Sequence, residues 1–149
     1  MLDDLYSQKL LSLSASIPHL GTLEEPQGTA RKHARLCGSV VSADVQLAPD
    51  GTVETFAQEV KACALGQASA SILGAGVIGA THAEIAQARD GLRALLAGED
   101  VVFSERFADL SVFTAVRDYK ARHGSVMLAF EAASDAIEQA RNQRLAPVA

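Results

Sequence analysis

VVSADVQLAPDGTVETFAQEVKACALGQASAS is the stretch, residues 40–71, that decides the fold. A strand pattern in its first part is followed by the small residues of a helix. Apolar and polar residues alternate in its first part, which is the period of a strand with one buried face. The predicted buried face consists of Val41, Ala43, Val45 and Leu47. Pro49–Gly51 supply turn chemistry, and a second run from Thr52 to Ala62 follows, with Gln58 interrupting its apolar stripe. We therefore expect an antiparallel hairpin.

Helices are predicted after this hairpin. The small residues of ALGQASASILGAG, 64–76, favour a helix that packs closely on a sheet. Thr81 and Glu84 have the spacing of a capping box, which predicts a helix that runs to about Leu96. Apolar spacing predicts two more helices. The first is marked by Phe107, Leu110, Phe113 or Thr114, and Tyr119, and the last by Val126, Phe130, Ala133, Ile137 and Arg141.

The part of the chain before residue 37 is less regular. Residues 3–15, DDLYSQKLLSLSA, predict a helix that ends before Pro18, and residues 18–36 indicate a surface segment with one short edge strand. Together the patterns predict an α+β fold: a small antiparallel β-sheet of about three strands packed against an N-terminal helix and three or four C-terminal helices. We place a single domain at 5–142 and a C-terminal tail at 143–149.

Size and charge argue against several classes of function. The 149 residues suit one domain, and no apolar run approaches the roughly 20 residues of a membrane span. A net charge of −5, with 13 basic residues scattered along the chain, argues against nucleic acid as a partner. The first residues, MLDDLYSQ, are acidic where an export signal would be basic, so we expect a cytoplasmic protein.

Cys37 and Cys63 are the main candidates for chemistry. Thiols in a reducing compartment fill small apolar gaps, take part in redox reactions or bind metals, and the residues alone leave these three readings open. Cys63 lies where a helix begins, and free N–H groups there favour the thiolate. The predicted hairpin brings Cys37 and Cys63 to the same end. No catalytic triad, phosphate-binding loop or C-x-x-C pair is found, so we do not expect an enzyme.

His123 is the remaining candidate, because it begins the last predicted helix and carries an imidazole. The alternative is a solvated residue at a helix start.

Four segments, in order, resemble the iron–sulfur scaffold family of IscU, SufU and the N-terminal domain of NifU. They are Y-x-x-x-L-L at 6–11, H-L-G-T-L-E-E-P at 19–26, L-C-G at 36–38 and V-K-A-C-A-L-G-Q-A-S-A-S at 60–71. The resemblance extends over roughly residues 5–140.

The resemblance implies that Cys37 and Cys63 are the first two cysteine ligands of the family site. Ser39 stands where the family has an aspartate. The third family cysteine is replaced by Gly124 in one register of RHGSVMLAFEA and by Ser125 in the other. His123 is then the candidate third ligand for iron, a [2Fe–2S] cluster or zinc.

The function implied by the resemblance is iron–sulfur cluster assembly. Family members receive sulfur from a cysteine desulfurase, build a cluster on the thiolates and pass it to apo iron–sulfur proteins. With this ligand set, the cluster is held by a monomer or shared in a homodimer. Two alternatives remain: a SufE-like sulfur acceptor or regulator of a desulfurase, and an interaction protein with a degenerated site and structural thiols.

Overall fold

The computed structural model describes residues 4–145 and has the predicted α+β architecture. Its elements are α1 (Asp4–Ser14), β1 (Gly28–Ala34), β2 (Ser39–Leu47), β3 (Val53–Lys61), α2 (Ala64–Gly76), α3 (His82–Leu96), a 3₁₀ segment (Glu105–Val116), a short 3₁₀ turn (Lys120–Arg122) and α4 (His123–Leu145). Residues 143–145 of the predicted tail are thus helical, and residues 146–149 lie outside the described part. Within residues 4–145, no helix is long and apolar enough to cross a membrane.

The sheet is antiparallel in the order β1-β2-β3, and the predicted hairpin forms its β2–β3 half. Val45 pairs with Phe56, and both side chains are buried. The alternation of β2 is observed as predicted, because Val41, Ala43 and Val45 are fully buried. One face of the sheet therefore packs against the hydrophobic core.

α4 lies across β1 and β2 on the buried face of the sheet. Its approach to β1 is so close that a Cβ atom at Gly28 would overlap the carbonyl oxygen of Ala136. β1 can accept a helix at this distance because it presents small residues, Gly28, Ala30 and Ala34, toward α4.

α2 packs closely as predicted, but mainly between α1 and α4 and not on the sheet, because α4 already covers the buried face of β1 and β2. Ser69 is fully buried, and its hydroxyl donates a hydrogen bond to the carbonyl oxygen of Val126 at 2.6 Å. This bond fixes the start of α4 beside the start of α2.

Gln58 interrupts the apolar stripe of β3 because it ties the sheet to two other segments. Its buried side chain donates from Nε2 to the carbonyl oxygens of Pro18 at 3.1 Å and Ala70 at 3.0 Å. Its backbone also pairs with His19 and Gly21, so this segment covers the free edge of β3.

The helix predicted around Phe107 is a 3₁₀ segment with a kink at that residue, where φ is −126°. Four of its five buried residues recur every three positions, which matches the three residues per turn of a 3₁₀ helix. These four are Phe107, Leu110, Phe113 and Val116, and the fifth is Val112. The prediction that Tyr119 belongs to this apolar stripe is wrong: the segment ends at Val116, and Tyr119 is 40% exposed.

Candidate functional site

Cys37 lies in the tight turn that joins β1 to β2. Gly38 adopts a left-handed conformation with φ of 71°, which few other residues accept, and its N–H donates to the carbonyl oxygen of Ala34 at 2.9 Å. The turn holds the half-buried Cys37 side chain at the end of the sheet. Exposed Leu36 precedes it.

Cys63 is the N-cap residue of α2, as the sequence predicts for a cysteine that opens a helix. Its carbonyl oxygen accepts a hydrogen bond from Gln67 N at 2.9 Å, and its half-buried thiol does not cap the helix. The sulfur is therefore free to contact other groups at the positive end of the helix dipole.

Two serine hydroxyls connect the two thiols. Cys37 Sγ lies 3.3 Å from Ser39 Oγ, Ser125 Oγ donates to Ser39 Oγ at 3.0 Å, and Cys63 Sγ lies 3.5 Å from Ser125 Oγ. Both hydroxyls are buried, whereas both thiols reach the surface. We call these four side chains the thiol–hydroxyl row. It joins the β1–β2 turn, the start of β2, the start of α2 and the first turn of α4.

The pKa of the Cys37 thiol is lowered from its ordinary value. The main cause is the hydrogen bond with the Ser39 hydroxyl, which stabilises the thiolate against the opposing effect of burial. The Ser39 backbone, the Ser125 hydroxyl and the positive charge of Arg122 act in the same direction.

The pKa of the Cys63 thiol is also lowered, although burial is the largest single effect and raises it. The Ser125 hydroxyl and the nearby backbone N–H groups of Gly66 and Leu65, which stabilise the thiolate, outweigh the cost of burial, with help from Arg122. Both sulfur atoms are therefore prepared to act as thiolates, which are the nucleophilic and metal-binding form.

Gly66 makes the contact between Cys63 and Ser125 sterically feasible. A Cβ atom at this position would lie 2.5 Å from Ser125 Oγ and 2.7 Å from the Cβ of Ala62. The G-Q-A-S-A-S stretch of α2 thus has two roles here: Gly66 leaves room for the serine, and Ser69 anchors α4.

His123 begins α4, as predicted, but in the structure its side chain is not part of the row. Its Nε2 lies 3.1 Å from the carbonyl oxygen of Val116, and its ring lines a groove with His33 and Glu131. Ser125, and not Gly124, occupies the place beside Cys63; Gly124 faces Ala34 instead.

The donor atoms of one chain suit a metal only in part. Within residues 4–145, no three His, Cys, Asp or Glu side chains lie close enough together to hold an ion. The row supplies two thiols, which bind iron and zinc strongly as thiolates, and two neutral hydroxyls, which are weak ligands for these metals.

Basic residues flank the row, although they looked scattered in the sequence. The segments that form it, 31–39, 60–71 and 117–125, hold seven of the 13 basic residues and one of the 18 acidic ones. Arg35, Lys61, Lys120 and Arg122 are exposed, and none forms a salt bridge in the described part of the chain. Counting charge segment by segment would have found this cluster.

Comparisons with known proteins agree with the architecture. Residues 5–126 match the family model of the NifU-like N-terminal domain. The crystal structure of the N-terminal part of a nitrogen-fixing NifU-like protein from Brucella abortus has 45% sequence identity and a TM-score of 0.86, with 94% of this chain and 96% of that chain covered. No curated protein matches the chain.

Two more distant crystal structures show a likeness of fold alone. A hypothetical protein is 23% identical with a TM-score of 0.80, over 92% of this chain and 99% of that one. A protein from the thermophile Fervidobacterium islandicum AW-1, assigned as an iron–sulfur cluster assembly scaffold of the SUF system, is 20% identical with a TM-score of 0.78. The match covers 89% of this chain and 96% of that one.

Proposed function

The chain belongs to the family of NifU-like N-terminal domains, and from this premise we propose that it is an iron–sulfur cluster assembly scaffold or carrier. It binds iron, a [2Fe–2S] cluster or zinc through Cys37 and Cys63. The observation that carries the proposal is the thiol–hydroxyl row, in which two separate segments present thiols of lowered pKa at one surface site. The assignment of the Fervidobacterium protein as a cluster scaffold supports it.

Sulfur reaches the site from a cysteine desulfurase in this proposal. A thiolate of the row attacks the outer sulfur of the persulfide on the desulfurase, and the sulfur–sulfur bond of that persulfide breaks. The desulfurase cysteine leaves as a thiolate, and the scaffold cysteine becomes the persulfide. Electrons from ferrous iron and from an external thiol, which leaves as its disulfide, reduce this sulfane sulfur to sulfide; iron and sulfide then form the cluster, which passes to apo iron–sulfur proteins.

Anaerobic reconstitution with ferrous iron and sulfide tests the proposal. We expect visible absorption of a cluster and bound iron in the wild-type chain, and loss of both in Cys37→Ser and Cys63→Ser. Ser42→Ala, a change on the same strand as Ser39 but outside the row, is the control. A wild-type chain that binds neither iron, cluster nor zinc through these thiols would contradict the proposal.

His123 is a third ligand in this proposal only if its ring leaves the carbonyl oxygen of Val116, which it contacts in the structure. His123→Ala tests whether His123 is a ligand. Loss of bound metal or a changed absorption spectrum assigns His123 as a ligand. An unchanged spectrum and metal content assign ligation to the two thiols of each chain.

A SufE-like sulfur acceptor is the second candidate function. It is favoured by the combination of two activated thiols with two hydroxyls in the places of the lost ligands, because sulfur acceptance needs a nucleophile and no complete ligand set. Incubation with a cysteine desulfurase and cysteine, without iron, should then add one sulfur atom to Cys37 or Cys63 in peptide mass spectra. A chain that accepts sulfur but never assembles a cluster has this function and not the first.

A further inference from the structure

β1 forms an edge of the sheet that has no strand beyond it. In the order β1-β2-β3, the strand Gly28–Ala34 pairs with β2 alone. The Thr29 N–H points away from β2, because it donates to the side-chain oxygen of Gln139 on α4. Backbone groups of an antiparallel pair alternate in direction, so those of Arg31 and His33 also point outward. Within residues 4–145, no other segment forms a hydrogen bond with them. This edge can therefore accept another strand.

A groove of about 350 Å³ opens beside the free edge of β1. Its walls are the His33 ring, the end of α3 and the first turns of α4, and its rim includes Glu131, which is paired with Arg93 at 3.5 Å. The floor is apolar and consists of Leu96, Met127 and Leu128. Side chains of an extended segment alternate between two faces. Every second side chain of a strand added to β1 would thus lie over this groove.

The charge of the edge selects the kind of segment that fits. Residues 28–35 contain three basic residues and no acidic one. Lys32 points toward α4, where it pairs with Asp135 at 2.8 Å. Arg31, on the opposite face, and Arg35 are exposed, and neither forms a salt bridge in the described part of the chain. Such charges commonly keep edge strands apart, and two β1 edges would repel each other. The same charges attract an acidic segment.

We propose that the free edge of β1 is a docking site for an extended acidic segment of a partner protein, in which apolar side chains alternate with carboxylates. The segment adds a strand to the sheet by pairing with the backbone of Arg31 and His33. Its apolar side chains enter the groove, and its carboxylates lie on the other face beside Arg31. The inference goes beyond the proposed function, because it uses neither thiol and requires no metal. A segment that continues past Ala34 reaches the turn that holds Cys37.

A synthetic peptide of the length of β1, seven residues, tests the inference on the metal-free full chain. In this peptide, valine alternates with aspartate and glutamate, and both ends are blocked. We expect binding in an NMR titration at low ionic strength, together with slower hydrogen exchange of the Arg31 and His33 amides. Added salt should weaken the binding. A control peptide with lysine in place of the acidic residues should bind roughly tenfold more weakly or not at all.

Two variants separate the charge of the edge from the groove. Arg31→Glu should weaken binding of the acidic peptide roughly tenfold, because it reverses the charge beside the carboxylates. Ala97→Glu, at an exposed position that lines the groove, should weaken it as well by placing a negative charge where an apolar side chain enters. Lys61→Glu is the matched control: it makes the same change of charge at an exposed residue of β3, so the affinity should stay within about twofold.

Several outcomes would overturn the inference. They are absence of binding by the acidic peptide, equal binding of the lysine peptide, and binding that leaves the exchange of the Arg31 and His33 amides unchanged. An equal loss of affinity in Lys61→Glu and Arg31→Glu would also overturn it, because net charge and not the β1 edge would then be the cause. Reconstitution with iron and sulfide is a separate measurement on Cys37 and Cys63. Its failure would contradict the proposed function and leave the docking site standing.

Discussion

Each sulfur of the row is held by a different set of donors. The Cys37 thiolate is stabilised mainly by the Ser39 hydroxyl, whereas the Cys63 thiolate is stabilised by the Ser125 hydroxyl and by the nearby backbone N–H groups at the start of α2. The row has three contacts between its four side chains but only two hydroxyl protons. When both thiols ionise, each hydroxyl must donate to its own sulfur, so Ser39 and Ser125 then support the thiolates at the expense of their mutual hydrogen bond.

Ser39→Ala should raise the pKa of the Cys37 thiol, because the variant loses the largest of the effects that lower it. The rate of Cys37 alkylation by iodoacetamide at neutral pH should fall, and its pH midpoint should move upward. Peptide mass spectrometry across a pH series measures both. Ser42→Ala, on the other face of β2, should leave the profile unchanged; an equal shift in both variants would show that the hydroxyl is not the cause.

The same lowered pKa predicts how stability depends on pH. A thiol whose pKa is lower in the folded than in the unfolded chain adds stability that is complete above the unfolded-state pKa and is lost as the pH falls through the folded-state pKa. The free energy of unfolding of the wild type should therefore rise relative to that of Cys37→Ser as the pH increases from neutral to alkaline. Urea unfolding at several pH values tests this, and parallel curves would contradict it.

The sequence identified both thiols but could not decide between Gly124 and Ser125, or place His123. These residues share the first turn of α4, where neighbours differ in direction by about 100° and residues two apart lie on nearly opposite sides. His123 and Ser125 therefore cannot both face the row from a regular helix. Which of them does so depends on the packing of α4 against α2, including the Ser69 hydrogen bond to Val126, and no local pattern encodes that orientation.

Among the elements, α2 and α4 position the row because their first turns meet at small residues. Gly66 faces Ser125 at a distance that excludes a side chain, and Ser69 fixes the adjacent turn of α4. The sequence predicted a closely packed helix here from its small residues. It could not show that the closest approach occurs at the site.

Gly66→Ala should destabilise the fold by about 1–3 kcal/mol, because overlap with Ser125 and Ala62 exceeds the roughly 1 kcal/mol that alanine gains in a helix. Urea unfolding measures the change. Gly124→Ala is the matched control: its Cβ would lie 3.4 Å from that of Ala34, an ordinary contact, so this helix position should be neutral or stabilised. Equal effects of the two substitutions would argue against steric exclusion at Gly66.

β1 and the 3₁₀ segment are the two elements that the sequence patterns predict least well. The sequence predicts the β2–β3 hairpin because buried and less buried positions alternate along most of the nine residues of β2. β1 has a weak pattern because the close approach of α4 requires small residues at its buried positions. The sequence predicts an ordinary helix for the 3₁₀ segment, although four of its five buried residues recur at intervals of three and not 3.6.

At the scale of the whole molecule, Gln58 links three segments of the chain. Its side chain joins β3 to α2 and to the segment after α1, and it is almost completely buried. In the sequence it was an unexplained interruption of an apolar stripe. Its partners are backbone carbonyls, and these leave no trace in residue type.

Gln58→Ala should lower the free energy of unfolding by about 2–4 kcal/mol, because it leaves a cavity and removes hydrogen bonds to Pro18 and Ala70. Thermal or urea unfolding measures the loss. Gln87→Ala, on the exposed side of α3, should change stability by no more than about 0.5 kcal/mol. A comparable loss in both variants would show that burial of Gln58 is not the reason.

The row is complete only when the last helix is in place. Ser39 and Ser125 are 86 positions apart in the chain, yet their hydroxyls share a hydrogen bond. A nascent chain that has completed the sheet and α2 already contains both cysteines but still lacks the hydroxyl that connects them. The two thiols reach their final environment only after α4 has left the ribosome and folded, so the lowered pKa of each thiol is a property of the complete domain and not of the cysteine-containing segments alone.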